Sequence, residues 1–173
     1  MPDALGFLRG TWRVERRLAD HRSGSAGWFR GTARFEPPGG ADGELTYHED
    51  GELAFGEHRG PASRSLIYRR RPDGTADVLF ADGRAFYQLD PRPGRWQARH
   101  PCGRDEYELH GRLLSPAAFE ERWLVSGPGK DYEILSTLTR VNPAGPADRS
   151  FPACPADLTG TRDPADPSDP EHL

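Results

Sequence analysis

From Gly10 onward the chain alternates apolar and polar residues with a period of two. Trp12, Val14 and Leu18 alternate with Arg13, Glu15 and Arg17, and Phe29, Gly31, Ala33 and Phe35 alternate with Trp28, Arg30, Thr32 and Arg34. Such spacing places one set on each face of an extended strand. Turn clusters recur at 37–40, Asp50-Gly51, Gly60-Pro61, 72–74, Asp82-Gly83, 91–94, Cys102-Gly103, Ser115-Pro116 and 127–129. Their Gly, Pro and Asp residues break a strand by supplying backbone angles that it lacks. The segments between them, near 10–20, 27–36, 43–49, 52–59, 62–71, 75–81, 84–90, 95–101, 104–114, 118–126 and 130–140, read as ten or eleven strands.

Tight turns and the lack of any helical crossover predict an antiparallel meander. A sheet of that many strands exposes two adhesive edges unless it closes, so the expectation is an all-β, closed, up-and-down antiparallel barrel of about ten strands. Before the first strand, Leu5 and Leu8 sit at helical spacing and predict one short helix able to plug a barrel end. Residues 1–140 then form the barrel domain. After Arg140 the periodicity stops: prolines spread among Ala, Asp and Gly give residues 141–173 the character of a disordered tail, with Phe151 and Leu158 as docking points.

Charge sharpens the functional reading. The formal net charge is -4. The tail alone, with Asp148, Asp157, Asp163, Asp166, Asp169 and Glu171 against Arg149 and Arg162, accounts for that excess. The barrel is therefore neutral, without the basic surplus that displaces counterions from phosphates, and no nucleic-acid partner is expected. The run Arg69-Arg70-Arg71 reads as a solvated strand end beside a turn. No apolar run of membrane-spanning length and no secretion signal stand out, which predicts a cytoplasmic protein, monomer or homodimer, with Cys102 and Cys154 as free thiols.

Gly10-Thr11-Trp12 opening the first strand and Arg140 closing the last resemble the calycin superfamily of lipocalins, fatty-acid-binding proteins and nitrobindin-like barrels. The resemblance implies that Arg140 stacks on Trp12 and seals the barrel floor. A nearer likeness is to a family of short, mostly bacterial lipocalin-like domains of unknown function. It is carried by Leu45-x-Tyr47-x-Glu49-x-Gly51, Arg64 before Tyr68, Asp82-Gly83-Arg84-x-Phe86, His100-x-Cys102-x-x-Asp105-x-Tyr107 and Trp123-x-Val125-x-Gly127-Pro128-x-Lys130-x-Tyr132. This chain has Tyr87 where relatives commonly carry a histidine. Nitrobindin-like barrels hold haem through a late-strand histidine, and residues 111–140 contain none.

The likeness supplies a fold and candidate positions but no activity, so the chemistry rests on side chains. Glu49, Arg64, Arg84 and Tyr107 lie at parities that allow them to face inward, where a charge must find a partner. Arginine forks match carboxylate or phosphate geometry. For Asp82-Gly83-Arg84 the plainer alternative, a hairpin turn, is preferred. His100, Cys102 and Asp105 are ligand types for zinc but too few, so no metal and no cofactor are expected. Cys102 and Ser126 lack an oriented base, and Gly127-Pro128-Gly129-Lys130 lacks the rest of a phosphate loop.

Two functions follow. The first is a small-molecule-binding barrel, holding an apolar or aromatic ligand with a polar or anionic end among Glu49, Arg64, Tyr68, Arg84, Phe86, His100, Tyr107, Trp123, Lys130 and Tyr132. The alternative is a cofactor-independent isomerase, cyclase or hydrolase in the same cavity, with Glu49 or Asp105 as base and His100 or a tyrosine such as Tyr107 as acid. A third possibility, a barrel packed solid, is distinguished by the volume left inside.

Overall fold

A computed structural model of the protein describes residues 3–40 and 42–141. The expected tail, with Cys154, Phe151 and Leu158, lies outside the described residues. After helix α1 (Ala4–Leu8) come β1 (Gly10–Asp20), β2 (Ala26–Glu36), β3 (Glu44–Phe55), β4 (His58–Arg70), β5 (Ala76–Phe80), β6 (Ala85–Leu89), β7 (Arg95–Cys102), β8 (Asp105–Ser115), β9 (Ala118–Ser126) and β10 (Asp131–Arg140). They form one antiparallel sheet in the order β6-β5-β4-β3-β2-β1-β10-β9-β8-β7. The first strand pairs with both the second and the last, which curls the sheet into a nearly closed barrel. No ladder joins β6 to β7, and this seam is where closure stops short. Among the described residues, no helix is long and apolar enough to cross a membrane.

Two strand boundaries differ from the sequence reading: Gly60-Pro61, expected as a turn, lies within β4, paired with Leu53 and Glu52 of β3. Asp50-Gly51 is not a turn; it lies within β3, and the reversal comes after Phe55. Gly51 pairs with Gly31 of β2, and a Cβ on either would lie 2.2 Å from a backbone carbonyl of the facing strand. The two glycines therefore permit a close backbone approach within paired strands, which a local pattern cannot tell from a hairpin.

Alternation places Trp12, Val14, Phe29, Phe35 and Leu53 inside and fully buried. Helix α1 closes one end. Asp3 caps it by accepting from the Gly6 N–H at 2.7 Å, and the Trp12 indole N–H donates to the Leu8 carbonyl at 2.7 Å. Over that indole, at 4.2 Å from its centroid, lies the Arg140 guanidinium, which also donates to the carbonyls of Arg9 and Phe7. The helix, the first strand and the last strand are thus tied together at a single arginine.

Arg140→Met keeps the stem but loses the cation–π contact and both carbonyl bonds. It is expected to lower the unfolding free energy by about 2 kcal/mol or more. Urea denaturation followed by tryptophan fluorescence measures this, and an unchanged midpoint would show that the helix closes the floor without the arginine.

Candidate functional site

Midway along the barrel the apolar lining gives way to charge. Arg16 of β1 holds Glu49 of β3 through two parallel bonds of 2.8 Å each, and its Nε donates to Ser136 of β10 at 2.8 Å. Tyr47 donates its hydroxyl to the same carboxylate in a short hydrogen bond. Arg64 of β4 approaches from the other side, with Nε 3.3 Å from Glu49 Oε1. That is an ion contact only, because the Arg64 Nε is buried without a hydrogen-bond acceptor.

Burial alone would raise the Glu49 carboxyl. The charges of Arg16 and Arg64 and the bonds from Arg16 and Tyr47 outweigh it and hold the group at about 2. Glu49 is thus ionised at any physiological pH. Proton abstraction, one of the roles the sequence allowed it, is beyond so weak a base.

Glu121 of β9 faces the opposite balance. The Trp96 indole and the Tyr87 hydroxyl both donate to its Oε1, at 3.2 Å each. Burial raises the Glu121 carboxyl, and the two donors and the more distant charges of Arg64 and Arg16 do not cancel the rise. Trp96 reaches it because Gly111 lies beneath the ring: a Cβ there would sit 1.8 Å from the indole.

Between these two walls lies a cavity lined by Arg16, Arg64, Tyr87, Glu121, Phe86 and Trp123, among others. Its free volume is about 30 Å³, enough for two or three water molecules at about 10–15 Å³ each. Phe86 stacks on Trp123 with centroids 5.0 Å apart and fills space on the seam side.

Of the sequence candidates, Arg64, Tyr68, Phe86 and Trp123 line the cavity, and Glu49 lies behind the arginines that line it. The others lie elsewhere. Arg84 is exposed in the hairpin before β6, where its Nε bonds Asp82 at 2.6 Å, because an Asp-Gly turn holds it outside the strand. Lys130 bonds Asp105 and the Tyr107 hydroxyl, both at 3.0 Å, and so ties the β7–β8 and β9–β10 hairpins together at the end opposite α1. His100 bridges the seam by packing edge-on against the Phe80 and Phe86 rings, at 5.7 and 5.2 Å between centroids, and burial lowers its pKa. Cys102 is exposed, Tyr132 packs at the rim of the core, and the described residues hold no cluster of three metal-ligating side chains.

Sequence reasoning missed Arg16, Tyr87, Glu121 and Ser136. Arg16 and Glu121 share the parities of Trp12 and Trp123, so alternation alone would have found them. Tyr87 had no such signal: β6 carries Phe86 as an extra residue against β5, and the bulge turns Phe86 and Tyr87 inward together.

Fold and site define a small, nearly closed β-barrel with a charged interior. A family of unknown function, DUF6314, matches residues 8–140, and the chain belongs to that family. Comparison with curated proteins gives no match. Among solved structures, the S-type phycobiliprotein lyase CPES from Guillardia theta shares the fold at a TM-score of 0.56 and 11% identity, over 80% of this chain and 90% of the lyase. A redesigned β-barrel, mFAP1, bound to DFHBI aligns at a TM-score of 0.42 and 17% identity, over 80% of this chain and 99% of the design.

The two carboxylates predict opposite responses to pH. Glu49 is lowered from 4.5 in the unfolded chain to about 2, so its stabilisation is complete above 4.5 and disappears as pH falls through 2. It amounts to about 3 kcal/mol at neutral pH. Glu121 is raised, so its contribution is complete below 4.5 and is lost as pH climbs through its folded value. Glu49→Gln should destabilise the protein at pH 7 by about 3–5 kcal/mol, leaving two guanidinium groups without their anion. Glu121→Gln should be tolerated, and more favourable relative to the parent at pH 8 than at pH 5. Denaturation midpoints of both variants from pH 3 to 8 check this, and parallel curves would refute it.

Proposed function

We propose that this protein is a small-molecule-binding barrel whose ligand sets a polar or anionic end against Arg64 and an apolar or aromatic body along Phe86 and Trp123. The observation that carries this reading is the buried polar set around a water-sized cavity. A barrel built only to be stable gains nothing from it, since well-packed apolar residues in place of a buried ion pair are often neutral or stabilising. Here two arginines, two glutamates and three tyrosines line or border one small space, with a guanidinium nitrogen left unbonded. Convergent polar groups within an apolar, aromatic wall are what a ligand site requires.

The cavity as it stands accommodates a polar head and little else. A ligand body therefore requires Phe86 to leave Trp123, and β6 allows this because it is an edge strand at the seam, bonded to a neighbour on one side only. The small volume also supports a second reading, the solidly packed barrel. Acid/base catalysis in the cavity is the less favoured alternative, since Glu49 is too weak a base.

Native mass spectrometry of the full chain purified from its own host, compared with the denatured mass, separates these readings. A small molecule retained by the parent and lost from Arg64→Met, with near-ultraviolet circular dichroism unchanged, is the expected result. A bare mass, together with no slowing of amide exchange in β6 and β7 on adding host extract, would leave the packed barrel as the better account.

A further inference from the structure

The charges around the cavity do not balance when Glu121 carries a proton. Arg16 and Arg64 then contribute two positive charges, and Glu49 contributes one negative. The excess sits at Arg64, which makes one ion contact at 3.3 Å where Arg16 makes two hydrogen bonds of 2.8 Å to the same carboxylate. Across the cavity, both donors to Glu121 converge on Oε1, so Oε2 accepts no hydrogen bond from the described residues. A proton on Oε2 would turn Glu121 into a donor beside the space where the charge is short.

Resting on the binding reading above, we propose that the ligand's polar end is a single carboxylate or similar monoanion, seated between Arg64 and a donating Glu121, so that wherever free Glu121 is ionised the binding draws one proton from solvent into the barrel. The balance is simple. Where Glu121 is already protonated the anion enters alone; where it is ionised the anion enters without its proton and Glu121 takes one from water or buffer; in both cases the interior becomes neutral with every charge opposed. If Glu121 were ionised, its carboxylate would repel the ligand's at close range in a low-dielectric site.

The groups facing Glu121 leave it as the one whose proton changes hands. From β3, Glu49 is held ionised by the guanidinium groups of Arg16 and Arg64. Arg64 is held charged by Glu49, and burial holds the Tyr47, Tyr68 and Tyr87 hydroxyls above their ordinary values. β7 contributes the indole of Trp96, while β8 and β10 place Gly111 and Ser136 opposite Glu121, neither of which titrates. The elevated Glu121 carboxyl fits this role.

The test uses formate, small enough for the cavity as it stands, with formamide as its neutral counterpart. In the full-length protein the indole N–H signal of Trp96, which donates to Glu121, is followed by NMR from pH 5.5 to 8.5. Formate is expected to shift that signal saturably and formamide to leave it unmoved. Formate affinity should fall tenfold for each pH unit once free Glu121 has lost its proton. Calorimetry in buffers of different ionisation enthalpy should then count one proton taken up per formate bound, a readout that needs no variant. Glu121→Gln should bind formate with an affinity that varies less than threefold over this range.

Formate binding without proton uptake, the same pH slope in Glu121→Gln, or no formate binding at all would overturn the inference. A neutral molecule retained from the host would also overturn it while leaving the binding reading intact. A bare native mass with no formate binding would remove both.

Discussion

The Glu49 carboxylate is the point on which the barrel's interior depends. It lies wholly buried, and its partners come from β1 and β4, with Tyr47 on its own strand and Ser136 of β10 held through Arg16. Those partners coincide with strand register: Arg16 lies opposite Ser136 across β1 and β10, and Glu49 opposite Arg64 across β3 and β4. A slip of one residue turns every side chain of a strand to the other face. For β4 that would remove Arg64 from the interior and strand part of a buried negative charge, at a cost of several kcal/mol. An apolar pair at these positions would bury as well yet tolerate a shifted pairing far better. The ion cluster therefore acts against wrong registers more than it adds to net stability.

Once that anion is fixed, the rest of the interior follows from charge. Two guanidinium groups are needed to hold one carboxylate in so dry a place, and they leave a positive excess. Glu121, on the far wall, is too well shielded to cancel it cheaply, and its two donors do not offset the loss of water. Two carboxylates in one cavity thus take opposite protonation tendencies because only one has a cation in direct contact. The floor repeats the same logic without an anion: Arg140 takes its compensation from an indole face and two carbonyls.

Much of this was legible in the sequence. Period-two alternation and regular turn residues gave the strands, their antiparallel order and the closure; Leu5 and Leu8 gave the plug; Trp12 and Arg140 were paired by resemblance. What failed did so for identifiable reasons. Asp50-Gly51 reads as a hairpin, yet its glycine answers to Gly31 on another strand, a long-range steric demand with no local trace. Arg84 shares parity with Phe86, but it precedes β6, and the turn pins it to Asp82 outside. Asp105, Tyr107 and Lys130 form real contacts at the end opposite α1, and His100 packs on Phe86 at the seam, because residues close in a motif are close in space without sharing a cavity. Arg16 shares the parity of Trp12 and Val14, so its inward position was available from the alternation.

The β6–β7 seam gives the barrel an asymmetry that the alternation does not contain. Every other strand has two hydrogen-bonded neighbours, whereas β6 and β7 have one each. The bulge in β6 follows from this, since an extra residue is most easily absorbed by a strand with one free side. It places the Phe86 ring against Trp123 and the Tyr87 hydroxyl on Glu121, so the least-restrained strand carries both the ring that fills the cavity and a donor to its unpaired carboxyl. The Arg16–Glu49–Arg64 wall stands instead on β1 and β3, each bonded along both sides, and on β4, whose Arg64 pairs directly with Glu49 across the β3 ladder. A rigid charged wall facing a looser aromatic one allows the volume of the interior to change without disturbing the ion cluster. Opening at the seam would separate the His100 ring from those of Phe80 and Phe86 and break no ladder.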